Sequence, residues 1–110
     1  MMDQSNPSQQ RQHDLSGQSL HFVYIVRCAN GSLYTGYATD VQRRVATHNA
    51  GKGARYTRSH LPVTLLVSWS FQSKSEALRA EQAIKRLPRA RKMRLIEQAL
   101  QGEEGGNRVL

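Results

Sequence analysis

A length of 110 residues, a hydrophobic share of 38% and a net charge of +8 from 16 Lys+Arg against 8 Asp+Glu exclude several classes of protein. The chain has room for one domain with a modest core. The lone Cys28 excludes an internal disulfide framework, and no apolar run approaches the roughly 20 residues that span a bilayer.

Residues 1–19 are Gln, Ser, Asp, Asn and Pro with almost nothing apolar. They cannot bury enough surface to offset their ordering entropy, which predicts a disordered N-terminal extension. They lack the apolar core of a signal peptide and the Arg-rich pattern of a transit peptide, so a soluble, cytoplasmic protein is expected. The basicity lies further on: residues 21–100 hold fourteen basic and four acidic side chains, a net +10. That places positive charge on the part that folds, and makes nucleic acid the expected partner.

Residues 21–28 place Phe22, Tyr24, Val26 and Cys28 on one face of a strand and Val23 and Ile25 on the other. Apolar residues on both faces predict a central strand. Asn30-Gly31 predicts a two-residue type I′ hairpin turn, and Leu33-Tyr34-Thr35-Gly36-Tyr37 the antiparallel partner. Gly36, inside that strand, marks a bulge or a place where another group approaches the backbone. Thr39, three residues before Gln42, predicts a capped helix start. In that helix Val41 and Val45 form an i, i+4 apolar stripe and Arg44 and His48 a second i, i+4 pair.

Residues 51–62, GKGARYTRSHLP, read as a basic loop with Lys52, Arg55 and Arg58 around Tyr56. Val63, Leu65, Val67, Trp69 and Phe71 alternate, predicting a third strand with that face in the core. Ser73 with Glu76 forms a capping box for a second helix, whose apolar stripe is Ala77, Leu78, Ala80, Ile84 and Leu87. Pro88 opens a third helix, about Arg89 to Leu100, which packs Met93, Ile96 and Leu100. Residues 101–110 read as a flexible tail. The order β-β-α-β-α-α over residues 20–100 is that of a small α/β domain of the α+β type, with a three-stranded antiparallel sheet flanked by helices.

Four acids serve the folded segment: Asp40, Glu76, Glu81 and Glu97. Asp40 and Glu76 suit helix N-termini, where negative charge complements the dipole. Glu81 lies on an apolar stripe, where unpaired carboxylates are rare. Either it pairs with a neighbour such as Arg79 or Lys85, or it is a metal ligand, since one carboxylate with waters and phosphate oxygens suits Mg²⁺. Arg43 and Arg44 cannot face the same way. Arg44, on the hairpin side, can hold a phosphate in a bidentate way; the alternative is a solvated face for both. Core packing alone also accounts for Tyr24 and Tyr34, and a surface position for His48. The four histidines are too scattered for a zinc site. Lys52, Arg55, Tyr56 and Arg58 suit phosphate contacts with one stacking aromatic, although GKG lacks the spacing of a Walker loop. Lys85, Arg86, Arg89, Arg91, Lys92 and Arg94 either extend that footprint or are solvated helix faces.

Phe22-Val23-Tyr24, Tyr34-Thr35-Gly36, Arg44 with His48, and Glu81 in a later helix, taken in this order, resemble the GIY-YIG endonuclease family. LYTG, RRVATHN, GKGARYTR and SKSEALRAEQAIK are similar to its small stand-alone bacterial members, the YhbQ-like or UPF0213 group. Phe22 and Val23 stand where the glycine and isoleucine of the family name would be, and no asparagine follows Glu81 until Asn107. The resemblance implies DNA phosphodiester hydrolysis with one Mg²⁺ or Mn²⁺. It implies Glu81 as the metal ligand, Arg44 as the phosphate-stabilising cation, Tyr34 as general base, Tyr24 in support and His48 assisting proton transfer. Gly36 would leave room for the scissile strand, and Arg43, Lys52, Arg55, Tyr56, Arg58 and Lys85 would contact nucleic acid. Relatives with added domains take their target choice from them. Here it would come from DNA shape, from a protein partner or from charge alone. A binding module of the same fold with little catalysis is the alternative, and RNA an alternative ligand.

Overall fold

The computed structural model describes residues 20–102. The expected extension over 1–19 and the tail from residue 103 lie outside the described residues. Strand β1 (His21–Arg27) is central in a sheet of order β2-β1-β3, with β2 (Leu33–Ala38) and β3 (Thr64–Phe71) both antiparallel to it. Helices α1 (Val41–Asn49) and α2 (Arg55–Arg58) follow β2, and α3 (Lys74–Lys85) and α4 (Arg89–Gln101) follow β3. Three features differ from the order expected. A single helical turn, α2, stands inside the supposed basic loop, α4 runs one residue into the supposed tail, and α1 is capped by Asp40 instead of Thr39. The Asp40 carboxylate accepts from Arg43 N at 3.1 Å, satisfying an amide that the first turn leaves open. Ser73 caps α3 as its spacing predicts, accepting from Glu76 N at 3.1 Å.

The two apolar faces of β1 are both covered, which is why the strand tolerates no polar side. Val23 and Ile25 meet Val67 and Trp69 of β3, Ala77, Ala80 and Ile84 of α3, and Ile96 of α4. On the opposite face Tyr24, Val26 and Cys28 meet Ala38, Val41 and Val63, with Tyr34, Val45, Leu61 and Leu65 packed around them. No helix among the described residues is long and apolar enough to cross a membrane.

The β1–β2 connection is a three-residue loop, not the expected two-residue turn. Gly31 N donates to Cys28 O at 2.9 Å, Cys28 N donates to Ser32 O at 2.8 Å, and Gly31 has φ 87°. This is a four-residue turn followed by a left-handed glycine, a common alternative for such loops. The Asn30 side chain fixes the choice, because its Oδ1 accepts from both N and Oγ of Ser32.

In β3 the expected single-face alternation breaks. Ile25 pairs with Val67 but Val26 pairs with Leu65, so Leu66 is an extra residue, a bulge. A one-residue shift exchanges faces. Val67 and Trp69 therefore join the α3–α4 core, while Leu65 and Val63 join the α1 core. Two members of the expected helix stripes are also outside the core: Leu78 is 38% exposed and Leu100 58%. Leu78 stands about 100° round α3 from Ala77, off the side that Ala77, Ala80, Glu81 and Ile84 bury, and Leu100 lies in the last turn of α4.

Candidate active site

Tyr24 points from β1 toward α1 and is 1% exposed. It can lie there because its cross-strand partner is Gly36. A Cβ at Gly36 would sit 2.6 Å from Tyr24 Cζ and closer still to its hydroxyl oxygen. The room that sequence reading gives to a DNA strand is thus filled by the protein's own phenol. Tyr34, opposite Val26, stands on the same face of the sheet and is half-buried.

Helix α1 delivers His48. Residues 41, 45 and 48 fall on one side of a helix at i, i+4 and i+7, so His48 continues the Val41–Val45 stripe and is buried, 1% exposed, instead of lying at the surface. Its Nε2 is 2.8 Å from Tyr24 Oη, and its Nδ1 is 2.9 Å from Thr57 Oγ1. Thr57, in α2, is fully buried and its hydroxyl donates to Ala54 O at 2.9 Å. The Tyr34 ring meets the His48 ring edge-on, centroids 5.5 Å apart. Gly53 lets the α1–α2 connection pass the imidazole, since a Cβ there would stand 2.9 Å from His48 Cα and run into Nδ1.

Arg44 is exposed, and among the described residues it has no ion-pair partner. Its charge acts on both buried groups. Burial pushes the Tyr24 phenol up, as does the neighbouring Tyr34; Arg44 pulls it back and Glu81 adds a further push up. His48 is held below its ordinary value by burial and then by Arg44, so it is neutral at pH 7. Arg43 is exposed too, and its carbonyl accepts from Thr47 Oγ1 at 3.0 Å.

Glu81 in α3 is buried, 9% exposed, and its Oε2 lies 3.3 Å from Lys85 Nζ. The pairing weighed from sequence is therefore present, and the same carboxylate is also close enough to act on Tyr24. No group of three or more His, Cys, Asp or Glu side chains gathers among the described residues. One hard carboxylate suits a cation that keeps most of its waters and takes phosphate oxygens, as Mg²⁺ or Mn²⁺ does, and does not suit a fully protein-ligated zinc. The donor set fits the divalent cation that the sequence implies.

The remaining basic residues divide. Lys52, Arg55 and Arg58 are exposed on or beside α2. Tyr56, 44% exposed, is anchored: its hydroxyl meets Ser32 Oγ at 2.7 Å, and its ring stacks at a tilt on His60, centroids 4.6 Å apart. Arg89 is a structural tie, donating to Gly31 O at 3.1 Å. Lys92 is lowered by burial and then by the charge of Lys85, the lysine that pairs with Glu81.

Sequence reading missed Thr57 and Gly53. The available signal was slight: Thr57 is the small, uncharged, hydroxyl-bearing residue in ARYTR, three positions after Ala54, one helical turn away.

Comparison with known proteins agrees with the fold. The GIY-YIG catalytic domain matches residues 20–94. A UPF0213 protein of Halobacterium salinarum is 60% identical over 77 residues, 70% of this chain and 100% of its own. One from Staphylococcus haemolyticus is 55% identical over 78 residues, 71% of this chain and 95% of its own. A protein of E. faecalis solved by NMR is 37% identical with a TM-score of 0.51, covering 76% of this chain and 90% of its own. Fold, motif order and these relatives agree: the chain belongs to the GIY-YIG family, among its small UPF0213 members.

Proposed function

We propose that this chain is a divalent-cation-dependent endonuclease that hydrolyses DNA phosphodiester bonds, selects branched, flapped or damaged structures, and serves DNA repair or recombination. One observation carries the reading: the buried Tyr24–His48 hydrogen bond lies within reach of the charges of both Arg44 and Glu81. Phosphodiester hydrolysis needs proton acceptors, a cation for the phosphate and a metal-binding carboxylate, and this cluster has one of each kind. The net +10 of residues 21–100 supports a polyanionic substrate.

Arg44 holds the scissile phosphate through two N–H donors and stabilises the charge that builds on it. Tyr34, the less buried phenol, contacts the attacking water. As it takes the water's proton it releases its own toward the neighbouring Tyr24, and Tyr24 passes its proton to His48. Both phenols stay neutral and the imidazole becomes the cation. Once Arg44 is paired with phosphate, its charge opposes protonation of His48 less, so substrate binding prepares the acceptor. Glu81 would hold the divalent cation, which when bound would supply Lewis-acid stabilisation of the phosphate.

The test is cleavage of labelled duplex, flapped and branched DNA with Mg²⁺, with Mn²⁺ and with neither. Arg44→Ala and Glu81→Ala are expected to lose at least about 100-fold in rate, the scale of removing one transition-state contact. Parent-like cleavage by either variant would reject the assignment. The Lys85–Glu81 contact favours a second reading, a DNA-binding module in which the lysine keeps the carboxylate from metal. That reading expects salt-dependent binding, with a slope near −0.9 per phosphate neutralised, and no metal-dependent cleavage.

A further inference from the structure

We infer that Thr57 is a positioning residue: it fixes the tautomer of His48 so that Nε2 is the free acceptor facing Tyr24. The inference rests on the endonuclease reading for its consequence in catalysis, but on geometry alone for the tautomer. Three polar groups, fully or almost fully buried, stand in a row from Tyr24 Oη through the His48 ring to Thr57 Oγ1, and Ala54 O ends it. A carbonyl only accepts, and a hydroxyl has one proton to give. If Thr57 donates to Ala54 O, it must accept from Nδ1–H, and Nε2 must then accept from the Tyr24 hydroxyl. All three contacts are satisfied.

The opposite tautomer does worse. With the proton on Nε2, Thr57 has to turn its own proton to Nδ1 and abandon Ala54. Tyr24 then receives a bond from His48 and is left with a buried hydroxyl proton that has no other partner among the described residues. Two bonds replace three, and an unmade bond at a buried donor is the costlier part of the change. The turn α2 is built around this duty. Thr57 is its one buried residue, and Gly53 brings the backbone of the connection against the imidazole. The ring is thereby held ready to receive the Tyr24 proton on Nε2 without first exchanging a proton between its own nitrogens.

The experiment is long-range ¹H–¹⁵N NMR of the full chain labelled in histidine, above the His48 titration, with the His48 signals identified by their absence in His48→Gln. The wild type should show a pyridine-type Nε2 and a protonated Nδ1. Thr57→Ser should keep that pattern. Thr57→Val, in which Ala54 O retains its bond from Arg58 N at 3.2 Å, should move proton density to Nε2. In the same variant the DNA cleavage rate should fall on the order of tenfold or more, as it does when a catalytic histidine takes the wrong tautomer. KM for DNA should stay within about twofold, since substrate binding is left intact, and Thr57→Ser should restore the rate. A protonated Nε2 in the wild type overturns the inference whether or not Thr57→Val folds, and so does a Thr57→Val protein with the wild-type pattern. A wild type that cuts no DNA sinks the endonuclease reading alone; the resonances decide Thr57 in either case.

Discussion

Lys85 Nζ lies 3.3 Å from Glu81 Oε2, one helical turn further along α3. The lysine therefore stands where a cation on Glu81 would feel it most. Its side chain is 42% exposed, so the pair contributes little, between 0 and about 1 kcal/mol. Lys85→Ala is expected to tighten Mg²⁺ or Mn²⁺ binding by up to about fivefold. Isothermal titration of the protein with either ion reads this directly, and weaker binding in the variant would show that Lys85 does not compete with metal.

Gly36→Ala should be costly although it adds one methyl group. The new Cβ meets the Tyr24 phenol, which is buried and bonded to His48 and so cannot swing away. A loss of about 1–3 kcal/mol is expected from such overpacking. Tyr24→Phe removes the atom in closest conflict, so the double variant should lose less than the two single changes added together. Urea unfolding of the four proteins measures the coupling, and strict additivity would mean that the clash is relieved elsewhere.

His48 makes stability fall in acid. Burial, then Arg44, holds its folded value below the ordinary one. Between that folded value and about 6.5 the unfolded chain binds the proton and the native state does not. Stability therefore drops as pH falls through about 6.5 and levels off below the folded value. His48→Gln should flatten this part of the profile. Urea midpoints measured from about pH 5 to 7.5 make the comparison, and equal slopes in the two proteins would remove His48 as the source.

Trp69 and Leu100 should part company. Trp69, 1% exposed between β1 and α3, is expected to cost about 3–5 kcal/mol on change to Ala. Leu100, 58% exposed, should change stability by less than about 0.5 kcal/mol despite its place on the apolar stripe of α4. Thermal melts suffice, and a large loss for Leu100→Ala would mean that something covers it in solution.

What could be read from the chain depended on whether the cause was local. Two apolar faces in residues 22–26 identify β1 as central because that pattern has one explanation. The capping of α3 follows from Ser73 and Glu76 alone. The bulge at Leu66 is different, since it depends on how β3 meets β1 and leaves no mark in VTLLVSW. The three-residue hairpin loop follows from the bonds that Asn30 makes to Ser32, while the Asn30-Gly31 pair itself fits either turn. In the site, motif order locates Tyr24, Tyr34, Arg44, His48 and Glu81. The burial of His48 was legible in its spacing from Val41 and Val45. Thr57 was not, because its partner is nine residues back and they meet only after α2 folds against α1.

The tip of the β1–β2 hairpin is held from two sides. Tyr56 of α2 grips Ser32, and Arg89 of α4 grips Gly31, although the two helices cover opposite faces of the sheet. Adjacent residues thus form a mechanical link around the sheet edge. The exposed arginines of α2 and the first turn of α4 are thereby tied to neighbouring residues of one loop, so a change at Ser32 or Gly31 touches the anchorage of both basic surfaces.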